Sequence, residues 1–168
     1  MTVPAPGLDT LVDELLGSIT ILLEGLRENS VLILLYSSID ILSALDADDG
    51  KATRSTFTAW VDKYMTPETK LGCSSLEIYS ARCGVVHTLS AETTLTERGK
   101  ARDFAYVTWP VIFPEQNKGG GTVWLHLPTL WLAFRDGARQ FQADVLGDQA
   151  RSDRIQANLK KVYFVRSK

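Results

Sequence analysis

The stretch "YSARCGVVHTLS", residues 79–90, places Arg82 five positions ahead of His87, one of only two histidines in the chain. An imidazole exchanges protons near neutral pH, and a guanidinium neutralises developing negative charge. Together they would set a proton-transfer group beside a fixed positive charge. The stretch reads as a helix that packs in the core. An arginine there needs an anionic partner or a water-filled cleft, because an unpaired buried charge is very costly. Asp40, in the apolar stretch "LILLYSSIDIL", is the candidate partner and orienter, with Arg54 a rival for the same carboxylate. The alternative is a purely structural Arg82–Asp40 ion pair, with His87 donating to a carbonyl.

Helical geometry sets a condition on the pair. Five steps rotate the side chains roughly 140° apart, with a rise of about 7.5 Å. They converge if the helix loosens, for which Gly84 is the natural point, or if both border a cleft shared with another element or a second subunit.

The rest of the 168 residues must position these groups. With 45% hydrophobic and 23% charged residues, the composition is that of one globular domain. Residues 1–7, "MTVPAPG", read as a flexible arm ahead of a single domain over 8–168. Leucines, isoleucine and valine at three- and four-residue steps predict a helix from Leu8 to Arg27. A second, apolar on nearly all sides, runs from Asn29 or Ser30 to Leu45 and should be the central helix. "TRSTFTAWVDKYM" makes a third that buries Phe57, Trp60, Val61 and Tyr64 and stops before Pro67. The fourth starts at Ser74 or Ser75 and carries Arg82 and His87. On it Ile78, Arg82, Val85, Val86 and Leu89 share one side, and Tyr79, Cys83 and His87 another.

The pattern then changes. "RDFAYVTWPVIF" and "GTVWLHL" are aromatic and β-branched, with "PEQNKGGG" between them. This predicts a β-hairpin over about 102–127 with a flexible tip, Pro110 marking an edge or bulge. Two further helices follow, the last one basic, from about 148 to 164. The fold class is mostly α: a bundle of about five or six helices with one β-hairpin insertion.

Several function classes drop out. A net charge of −2 argues against a dedicated basic nucleic-acid binder. Residues 1–50 nevertheless carry nine acids and one base, and residues 151–168 six bases and one acid. That asymmetry fits solvated faces, a basic patch, or attraction between the ends of neighbouring copies. Cys73 and Cys83 are too few for a disulfide framework and fit no zinc spacing, so a reducing, cytoplasmic location without a metal or cofactor is expected. Ser37, Ser38 and Asp40 interrupt the densest apolar run, which argues against a membrane span. The N-terminus has no basic region ahead of an apolar one, as a signal peptide would. "GGGTVW" lacks the Lys and Ser/Thr of a phosphate-binding loop.

Smaller features have competing readings. Cys83 with His87 is a conceivable nucleophile pair, and a small buried thiol is the commoner case. His126 reads as the polar face of the hairpin. Arg98, Lys100 and Arg102 form a basic loop that is solvated or touches phosphates. Trp109, Trp124 and Trp131 are core or an aromatic interface, with core favoured for at least two.

"ARCGVVHTLS", following an acid-bearing apolar helix, resembles the Arg-x4-6-His signature of the HEPN superfamily (higher eukaryotes and prokaryotes nucleotide-binding domains). The likeness covers about residues 30–95. It implies an α-helical bundle and, in many members, a metal-independent ribonuclease of toxin, phage-defence or CRISPR systems, acting as a homodimer with the motifs facing each other. Arg82 and His87 would be the motif residues, with RNA as substrate and an antitoxin as a conceivable partner. The position after the arginine, usually polar in the family, is Cys83 here. The alternative implied is a non-catalytic nucleotide-binding or protein-interaction module of the same fold.

Overall fold

The structure is a computed structural model and describes residues 7–161. The expected arm at 1–7 falls almost wholly outside them, as do the last seven residues of the basic tail. Helices α1 (Leu8–Glu24) and α2 (Glu28–Asp46) come first. Next is α3 (Arg54–Trp60), continued by a π-helical turn over Val61–Met65. A single turn α4 (Pro67–Lys70), then α5 (Ser75–Thr88) and a single turn α6 (Thr94–Glu97) lead to strand β1 (Asp103–Val107). A 3-10 turn at Pro114–Asn117 precedes β2 (Thr122–His126), α7 (Leu127–Leu146) and α8 (Gln149–Leu159). The mostly α fold with a small β insertion is as the periodicity predicts.

Helix α2 is the axis of the bundle and packs on α1, α3, α5, α7 and α8. Its Val31, Leu35, Tyr36, Ile39 and Leu42 are fully buried. By length and composition α2 is apolar enough to cross a membrane, contrary to the sequence expectation; half of that stretch is buried inside the fold. Trp60, Tyr64, Phe134 and Phe141 close the far side as a cluster of tilted and edge-on rings.

The β insertion is not a hairpin. β1 and β2 run parallel, with Asp103 beside Thr122 and Val107 beside His126. Residues 108–121 carry the chain back to the start of the sheet, a length sufficient for a parallel crossover. Pro110 lies in that connection and not at a strand edge or bulge. The expected flexible tip is anchored. Asn117 is buried, and its side-chain amide exchanges hydrogen bonds with the Trp124 backbone, imitating a neighbouring strand on the free edge of β2.

Arg102 holds this segment. Its Nε donates to Glu77 Oε1 at 2.5 Å, its Nη1 donates to the Asn117 carbonyl, and its Nη2 to the Gly72 carbonyl at 3.4 Å. Arg102 is therefore committed internally and does not join Arg98 and Lys100, which are exposed, as a phosphate contact. His126 is likewise buried, not on a polar strand face. Its Nδ1 meets Thr129 Oγ1 at 2.8 Å and its Nε2 meets the Thr108 carbonyl at 3.2 Å. A carbonyl only accepts, so Nε2 carries the proton. Of the three tryptophans in question only Trp131 packs on the core; Trp109 and Trp124 are exposed, because the crossover leaves them on its outer side.

Part of the charge asymmetry is met within the chain. Asp46 pairs with Arg151 at 2.7 Å, Asp48 with Arg154 at 2.9 Å, and Asp13 with Arg139 at 2.7 Å. The acidic first helices and the basic end attract because α2, α7 and α8 pack together.

Glu77 joins two tasks: it completes the N-terminal capping box of α5 with Ser74 and it pairs with Arg102. Burial works to raise its carboxyl, but the Arg102 and Ser74 hydrogen bonds outweigh that and hold it below the ordinary glutamate value. The folded carboxyl thus binds its proton more weakly than the unfolded one. Its stabilisation is complete above the unfolded value and is lost as the pH falls through the lowered folded value. Glu77→Gln should destabilise the fold at neutral pH by on the order of 3 kcal/mol, because it strands Arg102. Urea unfolding across pH measures this: the gap to wild type should close towards strongly acid pH, and a gap independent of pH would contradict the account.

Candidate functional site

Helix α5 carries two of the three site residues and is pinned at both ends. The capping box sets its start. At its end Leu89 adopts the left-handed conformation, with φ 53°. Its N–H donates to the Val85 carbonyl at 3.3 Å, and the Ser90 N–H donates to the Gly84 carbonyl at 3.2 Å. This is a left-handed (αL) cap with a 5→1 bond, and it folds the chain back over the last turn of the helix. A Cβ at position 84 would lie 2.0 Å from the Ser90 carbonyl oxygen. Gly84 is required for that close approach. It does not loosen or bend the helix, which runs unbroken through it.

The bend is unnecessary. Arg82 and His87 meet within one straight helix, Nη1 to Nε2 at 3.3 Å. Their Cα positions diverge, but the arginine side chain is long, and helical side chains lean towards the N-terminus, which brings the His87 ring back over the preceding turn. No second subunit is needed for the meeting.

Asp40 fixes the guanidinium from across the α2–α5 seam. Arg82 Nε and Nη2 both lie 2.6 Å from Asp40 Oδ2. Both side chains are more than four-fifths buried, while His87 is exposed. Burial pushes the Asp40 carboxyl up from its ordinary value, against the pull of Arg82 and His87. The carboxylate in turn holds the Arg82 guanidinium charged. Arg54 sits exposed at the start of α3 and makes no ion pair among the described residues, so the rivalry for Asp40 is settled in favour of Arg82.

A guanidinium only donates, so the His87 Nε2 accepts and the imidazole is neutral with its proton on Nδ1. The result is a directed array: a carboxylate and a guanidinium that are both mostly buried, and an exposed imidazole. An anion arriving at Arg82 Nη1 would take over that donor and release the Nε2 lone pair of His87 to act as a base.

Cys83 lies beside the array, its Sγ 4.0 Å from Arg82 Nη1. Among the described residues no hydrogen bond joins it to His87, so the geometry forms no cysteine–histidine pair. Cys73 is buried, and burial together with the charge of Glu77 pushes its thiol up to about 12, which leaves it unreactive. Among the described residues no group of three His, Cys, Asp or Glu side chains could hold a metal ion.

Two further polar residues carry no site reading in the sequence. Tyr106 faces inwards from β1 and its hydroxyl meets that of fully buried Tyr36 at 2.8 Å. Asn29 stands near the start of α2, on the same side of the molecule, and lines the same cavities as Tyr106. The alternation of "DFAYV" places Phe104 and Tyr106 on one face, and a buried tyrosine hydroxyl requires a partner; that was the available signal.

Asp40→Ala should destabilise the protein by on the order of 3 kcal/mol, because it leaves the mostly buried Arg82 charge unpaired. Replacing both Asp40 and Arg82 by leucine should cost clearly less than the single change. Chemical denaturation of the two variants measures this, and a double variant no more stable than Asp40→Ala would contradict the ion pair's role.

Compared with family models, with curated proteins and with solved structures, the chain shows no match. What it does therefore rests on the chemistry of the Asp40–Arg82–His87 array.

Proposed function

We propose that this chain is a HEPN-like, metal-independent endoribonuclease, working as a homodimer in a reducing, cytoplasmic setting. One observation carries the reading: an exposed imidazole held by its Nε2 against a guanidinium that a buried carboxylate anchors. Such an array places a proton acceptor and a fixed positive charge within a few ångströms of each other at the surface.

RNA brings its own nucleophile. A phosphate oxygen replaces His87 as acceptor for Arg82 Nη1. The freed Nε2 takes the proton of the 2′-hydroxyl, the 2′-oxygen bonds to phosphorus, and the bond to the 5′-oxygen breaks. The leaving oxygen takes a proton from water or from the matching imidazole of a second copy. The products are a 2′,3′-cyclic phosphate and a free 5′-hydroxyl. Arg82 stabilises the charge that builds on the phosphorane-like transition state. Asp40 touches no reacting atom and acts as the positioning residue.

A second reading has its own support. Arg82 spends Nε and Nη2 on Asp40, and Cys83 stands where the resembled family usually has a polar residue. A module of this fold that binds RNA without cutting it would fit both features.

Incubation of single-stranded RNA with the protein in EDTA separates these. The proposal expects cleavage by wild type, at least a hundredfold loss in His87→Ala and in Arg82→Ala, and no cut where the nucleotide lacks its 2′-hydroxyl. RNA binding without cleavage would favour the second reading. Equal cleavage by all three proteins would assign the activity to a contaminant and overturn the proposal.

A further inference from the structure

Two phenol protons serve the Tyr36–Tyr106 contact, and the hydrogen bond between the hydroxyls uses one of them. Tyr36 is fully buried, and among the described residues neither hydroxyl has a second partner. Were Tyr106 the donor, the Tyr36 proton would be sealed in the core without an acceptor, which is costly. Tyr36 is therefore the donor, and the proton left over belongs to Tyr106.

Tyr106 lines two adjoining cavities, one of about 530 Å³ and one of about 180 Å³, which also share Asn29 and Leu32. Together they form a groove between the start of α2, β1 and the end of α5. At one end stands Trp109, 80% exposed. At the other are Leu89 and Ser90, directly after the turn that carries His87. Glu28 and Asn29 line the wall with hydrogen-bond acceptors, and apolar Leu32, Val85 and Phe104 form its floor.

We propose that this groove binds a nucleobase of single-stranded RNA and prefers bases that carry an exocyclic amine. The choice of ligand rests on the ribonuclease reading. The base stacks on Trp109, accepts the Tyr106 proton at a ring nitrogen or carbonyl, and gives its amine protons to Glu28 or the Asn29 carbonyl. A flat ring with one acceptor edge and one amine matches a groove with one free donor and neighbouring acceptors. Uracil has no amine, and its one base-edge donor, N3–H, lies between two carbonyl oxygens that the Glu28 carboxylate repels. The Glu28 carboxylate also repels phosphate, which directs the sugar–phosphate chain to the Arg82–His87 end. A stacking tryptophan of this exposure serves single-stranded ligands, whose base faces are free.

The test measures binding of adenosine, cytidine, guanosine and uridine 3′-monophosphates by calorimetry, with cleavage of matched oligonucleotides alongside. Wild type should bind the three amine-bearing nucleotides roughly five- to tenfold tighter than uridine monophosphate. Tyr106→Phe should lower their affinity by roughly fivefold. Trp109→Ala should lower the affinity for all four by roughly tenfold. Binding that follows this pattern without any cleavage would keep the groove and remove the ribonuclease. His87-dependent cleavage, with affinities unaltered in Tyr106→Phe and Trp109→Ala, would keep the ribonuclease and overturn the groove. Loss of a dimer in Trp109→Ala with nucleotide binding intact would make the exposed aromatic a protein contact and also overturn the proposal.

Discussion

The Asp40–Arg82 ion pair is the constraint on which the rest of the arrangement depends. A guanidinium more than four-fifths buried must be matched by an anion, and one carboxylate oxygen on the neighbouring helix accepts from both Nε and Nη2. Two bonds from one edge of a rigid planar group fix its orientation. The third nitrogen is then presented at a defined place, and His87 meets it. Without Asp40 the guanidinium would swing towards solvent, and the imidazole would lose the group that selects its tautomer. The pair ties α2 to α5, so the site is built on the central contact of the bundle and not on a loop.

The scaffold keeps that contact in register from both ends of α5. At the start, Glu77 caps the helix and pairs with Arg102, which also donates to the Asn117 and Gly120 carbonyls of the crossover segment. One carboxylate thus joins the motif helix to the β insertion. At the end, the close passage of Ser90 over Gly84 closes the helix directly after His87. Farther away, Asp46, Tyr64, Arg151 and Asp144 hold α8, α7 and the π-helical turn to the end of α2. The imidazole is therefore the exposed member of an otherwise mostly buried array.

The helices were legible because their apolar spacing is long and regular. α2 could be placed at the centre from its apolar residues on nearly every side, and Asp40 could be named as the partner of Arg82 because a core helix gives an arginine few other choices. The parallel strands were not legible. Two β-branched runs with a glycine-rich link read as a hairpin, and only Asn117 and Arg102, acting over distance, decide that the link crosses back. The meaning of Gly84 was also hidden: a mid-helix glycine signals a bend or a close approach, and the carbonyl that approaches comes from six residues on. The Arg82–His87 meeting was underestimated because angular spacing of Cα positions neglects the reach of a long side chain. The Tyr36–Tyr106 pair joins residues seventy positions apart, which no local pattern encodes.

The central claim, that Asp40 holds Arg82 so that it selects the form of His87, has a direct reporter in the two ring nitrogens of His87. Nitrogen-15 NMR of the neutral imidazole distinguishes a proton on Nδ1 from one on Nε2. The account predicts the Nδ1–H tautomer in wild type and its loss in Asp40→Asn, where Arg82 is released. An Nε2–H tautomer in wild type, or a tautomer indifferent to Asp40, would contradict it.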